Sequence, residues 1–150
     1  MAELNDSILI TTKDLIGFDE NYDPFDRNLI RHINSALSIL HQLGIGPTDG
    51  FRITDSEATW SDFIGEGAYT LQDVIDYVYL RVKLLFDPPA TGVLVELMER
   101  EINEIGYRLN VAVETTEEEG FQNGIYTSRR LPRSLWRPRH EVGRPAVSVL

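Results

Sequence analysis

Apolar side chains recur at helical spacing in two stretches of the first part of the chain. The segment SILITTKDLIG predicts a short helix that stops at Gly17. The segment PFDRNLIRHINSALSILHQLG predicts a longer helix, with Asp23 as its cap, Pro24 in its first position and Gly44 as a left-handed end. The longer helix has one apolar stripe, which comprises Phe25, Leu29, Ile33, Leu37 and Leu40.

The same spacing predicts two more helices later in the chain. One covers LQDVIDYVYLRVKLLF, with Thr70 as its cap, and the other runs from Gly92 to about Val113. Asp87-Pro88-Pro89 should end the first of these, because a residue that precedes proline is displaced from helical geometry. We expect Phe86 to be buried beneath the resulting corner. The apolar stripes comprise Leu71, Val74, Ile75, Val78, Val82 and Leu85 in one helix, and Leu94, Met98, Ile102, Ile105 and Leu109 in the other.

The segment IGPTDGFRITDSEATWSDFIGEG interrupts the helical spacing. Glycine, proline and aspartate in its first part indicate turns. FRIT and ATWSDF predict either short strands or an ordered loop, with Trp60 and Phe63 as structural anchors. GIGPTDG looks like a phosphate-binding loop, but it follows a helix and lacks the Gly-Lys-Ser/Thr sequence. A helix end followed by a turn explains it better.

The sequence therefore predicts an all-α protein, a small bundle of about four helices with an extended C-terminal arm. Residues 1–113 form the helical body. Residues 114–128, which include ETTEEEG, are predicted to be an acidic linker that can turn at Asn123-Gly124. The arm, residues 129–150, contains three prolines and therefore cannot form one helix, and its last residues, AVSVL, have a strand-like composition.

Charge divides the chain at the same place. Residues 1–128 hold eight basic and 23 acidic side chains, a net charge of −15, whereas residues 129–150 hold six and one, a net charge of +5. An acidic body disfavours tight binding to nucleic acid, which needs a basic surface. The sequence has no cysteine, no apolar run long enough to span a bilayer and no signal pattern at its N-terminus. We therefore expect a soluble protein that is not exported.

No residue pattern supports catalysis or a bound metal. His32 and His41 lie nine residues apart on one predicted helix, which turns them about 900° apart and onto opposite sides. Asp55, Glu57 and Asp62 flank a tryptophan, but their spacing fits no calcium loop, and a polar loop explains them better. The glutamates of the fourth predicted helix lack the Glu-x-x-His pattern of metal sites in bundles. We expect no catalytic residue, no cofactor and no metal, and hence not an enzyme.

Four segments occur in an order that resembles a known family: DPFDRNLIRHINSALSILHQLGIGP, TWSDF, DVIDYVYLRVKLLFDPP and LMEREINEIGYRLN. They are similar to the head–tail connector (adaptor) proteins of tailed bacteriophages. In that family a helix leading to Leu-Gly precedes a tryptophan loop, a helix closed by Phe-Asp-Pro-Pro and a last helix ending in Arg-Leu-Asn. The resemblance covers about residues 8–110. The chain departs from it at Gly106-Tyr107, where the family has a larger residue, often tryptophan.

The resemblance implies a structural protein of the virion neck, between capsid and tail. Proteins of this family form a homo-oligomeric ring, commonly of twelve copies, below the portal of the DNA-filled capsid. The ring extends the channel through which the genome passes during packaging and ejection, without binding the DNA specifically. Its other face meets the next tail or stopper component. The resemblance further implies assembly in the host cytoplasm and no contact with a membrane.

The arm matches nothing in that family, so its role is inferred from its charge. An arm of charge +5 laid across an acidic neighbour would offset the repulsion between acidic subunits, and arginine binds carboxylates with two parallel hydrogen bonds. We expect the arm to bind the portal or a neighbouring subunit through its basic and large apolar residues. These are Arg129, Arg130, Leu131, Arg133, Leu135, Trp136, Arg137, Arg139 and Arg144.

Three alternatives stay open at the level of the sequence. The arm could be a solvated basic tail without a specific partner. It could also bind DNA, since arginines contact phosphates and Trp136 can stack on bases. The whole chain could instead be a small helical binding or regulatory module that acts as a monomer or dimer and uses the arm to bind a protein or nucleic acid.

Overall fold

The computed structural model describes residues 2–65 and 71–122. Within these ranges the chain forms five α-helices and no strand: α1 (Ile8–Ile16), α2 (Asp26–Gln42), α3 (Trp60–Ile64), α4 (Leu71–Phe86) and α5 (Gly92–Gln122). The predicted all-α bundle is therefore confirmed. The predicted Thr70 cap, the turn at Asn123-Gly124 and the arm over residues 129–150 lie outside the described residues.

The helices α2, α4 and α5 pack together in alternating directions around one core. Arg108, late in α5, lies 3.1 Å from the carboxylate of Asp73 at the start of α4. At the opposite end of α4, the ring of Phe86 contacts that of Phe25, which precedes α2. Each fully buried Leu, Ile or Val side chain contributes about 2 kcal/mol of transfer free energy. The buried apolar side chains of these helices are Leu29, Ile33, Ala36, Leu37 and Leu40; Val74, Ile75, Tyr77, Val78 and Val82; and Ile102, Ile105, Leu109 and Val113.

A buried lysine joins α1 to the start of α2. The side chain of Lys13 is 2% exposed, and its Nζ donates a hydrogen bond of 2.8 Å to the backbone carbonyl of Glu20. The same nitrogen lies 2.9 Å from a carboxylate oxygen of Asp26 and 3.7 Å from one of Asp23. A buried ammonium is tolerated only where such oxygens replace its water shell. These contacts hold the connecting segment, residues 17–25, against the bundle.

The start of α2 differs from the prediction. The helix begins at Asp26, and Phe25 occupies the capping position without a side-chain hydrogen bond. Asp23 is therefore not the cap, and Pro24 precedes the helix instead of opening it. The carboxylate of Asp23 faces the ammonium of Lys13 instead.

The two predicted glycine ends are confirmed. Gly17 (φ +104°) follows α1, and Gly44 (φ +92°) follows α2. At the second end, the N–H of Gly44 bonds to the carbonyl of His41, and the N–H of Ile45 bonds to that of Leu40. This pair of bonds satisfies carbonyl groups that the helix itself leaves without partners.

The segment FRIT forms an ordered loop, which was one of the two structures predicted for it. The side chain of Asn34 in α2 makes the two backbone hydrogen bonds that a neighbouring strand would otherwise provide. Its Oδ1 accepts from the N–H of Ile53 at 2.8 Å, and its Nδ2 donates to the carbonyl of Ile53 at 2.9 Å. Ile53 is 2% exposed, so one amide side chain satisfies the backbone of a buried loop residue.

The segment ATWSDF was predicted as strand or loop, and this is wrong, because it contains the short helix α3. The hydroxyl of Thr59 accepts from the N–H of Asp62, and the Asp62 carboxylate accepts from the N–H of Thr59. This reciprocal cap starts a helix too short for periodicity to reveal. Trp60 and Phe63 are buried as predicted, and the Trp60 Nε1 donates to the hydroxyl of Thr11 at 3.2 Å.

The corner between α4 and α5 lies where the two prolines predict it. The fourth helix ends at Phe86, and Asp87, Pro88 and Pro89 are not helical. The side chain of Phe86 is only partly buried, because it packs among other rings at the end of the bundle instead of beneath the corner. Lys83 forms an ion pair with Asp87, which ties the first residue of the corner to the last turn of α4.

The last helix is longer than predicted. Residues 114–122, expected to belong to an acidic linker, continue α5 to Gln122. Glutamate is a good helix former, and the hydroxyls of Thr115 and Thr116 bond to the carbonyls one turn earlier, so two polar residues are accommodated without ending the helix. A run of negative charge indicates exposure to water, which a solvated helix provides as well as a linker does.

The contacts of Lys13 predict an unequal response to loss of its two carboxylate partners. Asp26→Asn should lower the free energy of unfolding by about 3 kcal/mol, because it leaves a buried ammonium without its nearest counter-charge. Asp23→Asn serves as the control and should cost less than about 1 kcal/mol, since that side chain is 80% exposed and more distant. Urea denaturation measures both values, and equal effects would contradict this role of Lys13.

We expect substitution of two glycines with similar φ angles to lower the stability by different amounts. Gly46 has φ +91° and a Cβ there would overlap the ring of Phe63, whereas Gly50 has φ +87° and open space around it. Gly50→Ala should cost about 1 kcal/mol of stability from backbone strain alone. Gly46→Ala should cost about 3 kcal/mol, because a buried ring must also move. Thermal or urea denaturation measures the stability of both variants. If the Gly46 variant were as stable as the Gly50 variant, the ring of Phe63 would not be tightly packed.

Candidate functional site

The carboxylates near Trp60 serve the local loop structure. The Asp55 carboxylate accepts from the N–H of Glu57 at 2.9 Å. The Asp62 carboxylate accepts from the N–H and the hydroxyl of Thr59, each at 2.9 Å, and these bonds lower the pKa of Asp62, the backbone bond most. Among the side chains that the structure describes, those of residues 2–65 and 71–116, no three of His, Asp or Glu are grouped so as to hold a metal ion.

The two histidines of α2 have different surroundings. The imidazole of His32 meets the ring of Phe86 edge-on, with 6.4 Å between the ring centres. Burial, and secondly the charge of Arg31, lower the pKa of His32. His41 instead lines an open polar groove between α2 and the following loop, together with Arg31 and Arg52. The described residues also form two surfaces with exposed apolar side chains, which are the candidates for binding a partner.

The first turns of α5 expose apolar side chains to solvent. Val93 is 68% exposed, and Leu94 and Leu97 are each 50% exposed. Leu85, near the end of α4, is 53% exposed and lines a groove between the two helices on the same side as Val95. We refer to Val93, Leu94 and Leu97, which lie within one turn of each other on α5, as the α5 strip. Exposed large apolar side chains that adjoin one another are typical of a surface that binds a partner.

The exposure of Leu94 and Leu85 contradicts two sequence predictions. Leu94 and Leu85 were assigned to buried stripes of their helices, and both are half-exposed. Within the described part of the chain, α5 is first fully buried at Ile102. Helical spacing assigned both leucines to an apolar face of their helix, but spacing does not show whether that face is covered by the rest of the chain.

A second surface lies at the end of the bundle where α4 stops. Four rings there contact one another with centres 5.5–5.8 Å apart, and two of them, Tyr22 and Phe25, are 44% and 37% exposed. Exposed carboxylates lie next to these rings in the sequence, and Asp14, Asp19 and Glu20 line a cavity beside α1 together with Phe18. We call this the aromatic–acidic surface; it comprises Phe18, Tyr22, Phe25, Phe86, Asp14, Asp19, Glu20 and Asp23.

Sequence reasoning missed the aromatic–acidic surface, although a signal for it exists. The segment FDENYDPFD alternates rings with carboxylates, and it was interpreted only as the start of a helix. The contribution of Phe86, distant in sequence, comes from the fold, because the end of α4 meets the start of α2.

A family model described as phage connector protein matches residues 8–116, from the start of α1 well into α5. The chain belongs to the phage connector protein family. Searches of curated proteins and of solved structures gave no match. The resemblance based on four sequence segments is therefore confirmed, and the matched region extends slightly beyond the segments that suggested it.

Membership of the family makes the connector a structural phage protein with a role in joining head and tail, and a component of the virion. The structure also shows what surrounds Gly106, where the chain departs from the family pattern. A Cβ on Gly106 would lie 3.5 Å from the ring of Tyr77, which is 4% exposed. Tyr77 of α4 thus fills the space beside Gly106, and the neighbouring Tyr107 is 71% exposed on the other side of the helix.

The predicted site residues of the connector fall into two groups. Trp60 is buried, and Phe86 to Pro89 form the end of α4 and the corner, consistent with structural roles. The partner-binding residues predicted between Arg129 and Arg144 lie outside the described residues. None of the helices in the described ranges combines the length and apolar character needed to cross a bilayer.

Proposed function

We propose that the connector forms a homo-oligomeric ring, of about twelve copies, that docks below the portal and extends the DNA channel towards the next tail or stopper component. The observation that carries this proposal is the α5 strip in a protein of this family. Half of the surface of Leu94 and Leu97 is in water in the single chain. Burying the strip against a neighbouring subunit would contribute the apolar core that protein interfaces require.

The charge of the body supports a channel through which DNA passes without specific binding. Residues 1–128 carry a net charge of −15, and the first of their basic residues, Lys13, is buried and paired. A wall of this charge repels the phosphate backbone and so keeps the genome from adhering during packaging and ejection. We propose that the protein is present in the host cytoplasm during assembly and in the virion neck afterwards, and that it is not an enzyme.

The arm supplies the opposite charge. Acidic subunits in a ring repel one another, and residues 129–150, with a net charge of +5, can offset this by binding an adjacent subunit or the portal. Trp136 is the proposed apolar anchor of this contact, because tryptophan and arginine are the residues most enriched at binding hot spots. The terminal AVSVL can add a strand to a sheet edge of such a partner.

The α5 strip predicts that assembly can be lost without loss of folding. Leu97→Glu should change the free energy of unfolding by less than about 0.5 kcal/mol, since the side chain is already half in water, but should abolish ring formation with the portal. Tyr107→Glu is the matched control on the same helix, because Tyr107 is more exposed and lies outside the strip. Sedimentation with the portal measures assembly. If the Leu97 variant assembled as well as the Tyr107 variant, the strip would not be part of the interface.

The arm predicts a second separation of folding from assembly. Truncation after Ser128 should leave the helical content and the unfolding transition unchanged, while complexes with portal or ring are lost. In the full chain, Trp136→Ala should weaken binding by about 2 kcal/mol, the usual cost at an aromatic hot spot. Complementation of a phage that lacks the gene tests the biological role. If the truncated protein gave infectious particles at normal yield, the arm would be a solvated tail without a specific partner.

A further inference from the structure

We propose that the arginine-rich segment 129–144 of one connector subunit docks on the aromatic–acidic surface of a second copy. The proposal rests on the assembly into a ring proposed above, and it assigns the surface that receives the arm. The proposed contact joins the arm of one copy of this chain to a second copy, and not to the portal.

The rings of this surface suit arginine. Tyr22 and Phe25 expose 44% and 37% of their surface, and their ring centres lie 5.8 Å apart. The face of an aromatic ring attracts a cation, and a guanidinium can stack on it while its N–H groups reach a carboxylate at the edge. A patch of rings bordered by carboxylates therefore binds arginine better than either group does alone.

The charge of the surface is complementary to that of the arm. From residue 14 to residue 26 the chain carries five carboxylates and no lysine or arginine. The buried ammonium of Lys13 lies near two of them, Asp23 and Asp26, whereas Asp14, Asp19 and Glu20 are exposed. Residues 129–144 carry six arginines and one glutamate. Three large apolar residues among these arginines can cover the exposed rings: Leu131, Leu135 and Trp136.

Contacts within the chain hold the residues of this surface in place. Lys13 binds the backbone carbonyl of Glu20 and the Asp26 carboxylate, which fixes both sides of the segment. The rings of Phe18 and Phe86 meet edge to face beneath, with centres 5.8 Å apart. A surface that is already ordered loses little conformational entropy on binding, so the entropic cost of docking falls mainly on the arm.

The geometry of α5 favours a second copy over the subunit's own arm. The aromatic–acidic surface lies at the α4–α5 corner, whereas the 31 residues of α5 lead about 45 Å away from that corner to Gln122. To return over this distance, even a fully extended chain needs about 14 residues at ~3.3 Å each. Arg129, Arg130 and Arg133 would then fall short of their own subunit's surface, which only the part of the arm from about Trp136 onward could reach. In a ring, the arm has only to reach the neighbour.

Photo-crosslinking in reconstituted portal–connector complexes tests the docking directly. The full-length connector carries benzoylphenylalanine at position 136, and it is mixed with full-length connector labelled with ¹⁵N and free of the photo-reactive residue. We expect cross-links to ¹⁵N-labelled peptides that contain residues 18–26, which identify a second copy. Cross-links confined to the unlabelled chain, to the portal or to other parts of the connector would each overturn the proposal.

A charge reversal provides an independent measurement. Glu20→Lys should raise the connector concentration needed for half-maximal ring assembly on the portal about tenfold, and 1 M salt should largely remove the difference. Glu57→Lys is the matched control, because Glu57 is an exposed glutamate on the loop before α3 and outside the surface. Equal effects of the two variants would overturn the proposal. Since the wild-type chain is measured in parallel, failure of the ring itself is recognised separately from a wrong docking site.

Discussion

The buried ammonium of Lys13 is the interaction on which the arrangement of this connector depends. It lies within one helix, yet its oxygen partners come from the following segment and from the first turn of the next helix. One charge thereby sets the path of residues 17–25 and the starting point of α2. The same contacts bring Phe18, Tyr22 and Phe25 to the end of α4, where Phe86 completes the ring cluster. The aromatic–acidic surface is thus a consequence of how α1 is attached.

The distribution of burial along α5 connects fold to assembly. From Ile102 to Val113 the helix contributes to the core, whereas Leu94 and Leu97 face water. The first turns of α5 thus leave large apolar side chains in water, which is the basis for proposing that another protein covers them. The acidic body adds a constraint on the proposed ring, because residues 1–128 of each subunit carry a net charge of −15 and repel the same region of a neighbour unless opposite charge lies between them. The proposed arm supplies it.

Much of the fold was predictable from the sequence, since the helices α1, α2 and α4 carry clear apolar spacing with glycine or proline ends. The errors have identifiable physical causes. Asp23 was assigned as a cap because local rules do not include a buried lysine from another helix. The short helix α3 depends on the reciprocal bonds of Thr59 and Asp62, not on periodicity. The continuation of α5 to Gln122 was missed because glutamates favour both linkers and exposed helices.

The candidate surfaces were less predictable than the fold. The α5 strip has the same apolar spacing as a core stripe, and only the packing of the neighbouring helices shows that it is uncovered. The aromatic–acidic surface needs Phe86 and Phe18, which are far apart in the sequence. Conversely, the charge reversal between body and arm is visible in the sequence alone. The charge reversal thus led to the hypothesis that the acidic body meets a basic segment, and the aromatic–acidic surface is the place proposed for that contact.

The measurement that tests the central claim most directly is the mass of the full-length connector by native mass spectrometry, alone and with purified portal protein. A ring-forming connector predicts one complex in which a fixed number of copies, about twelve, is bound per portal ring, whether or not the free protein is monomeric. A connector that stays monomeric or dimeric in the presence of the portal would contradict this account and favour a small helical binding module.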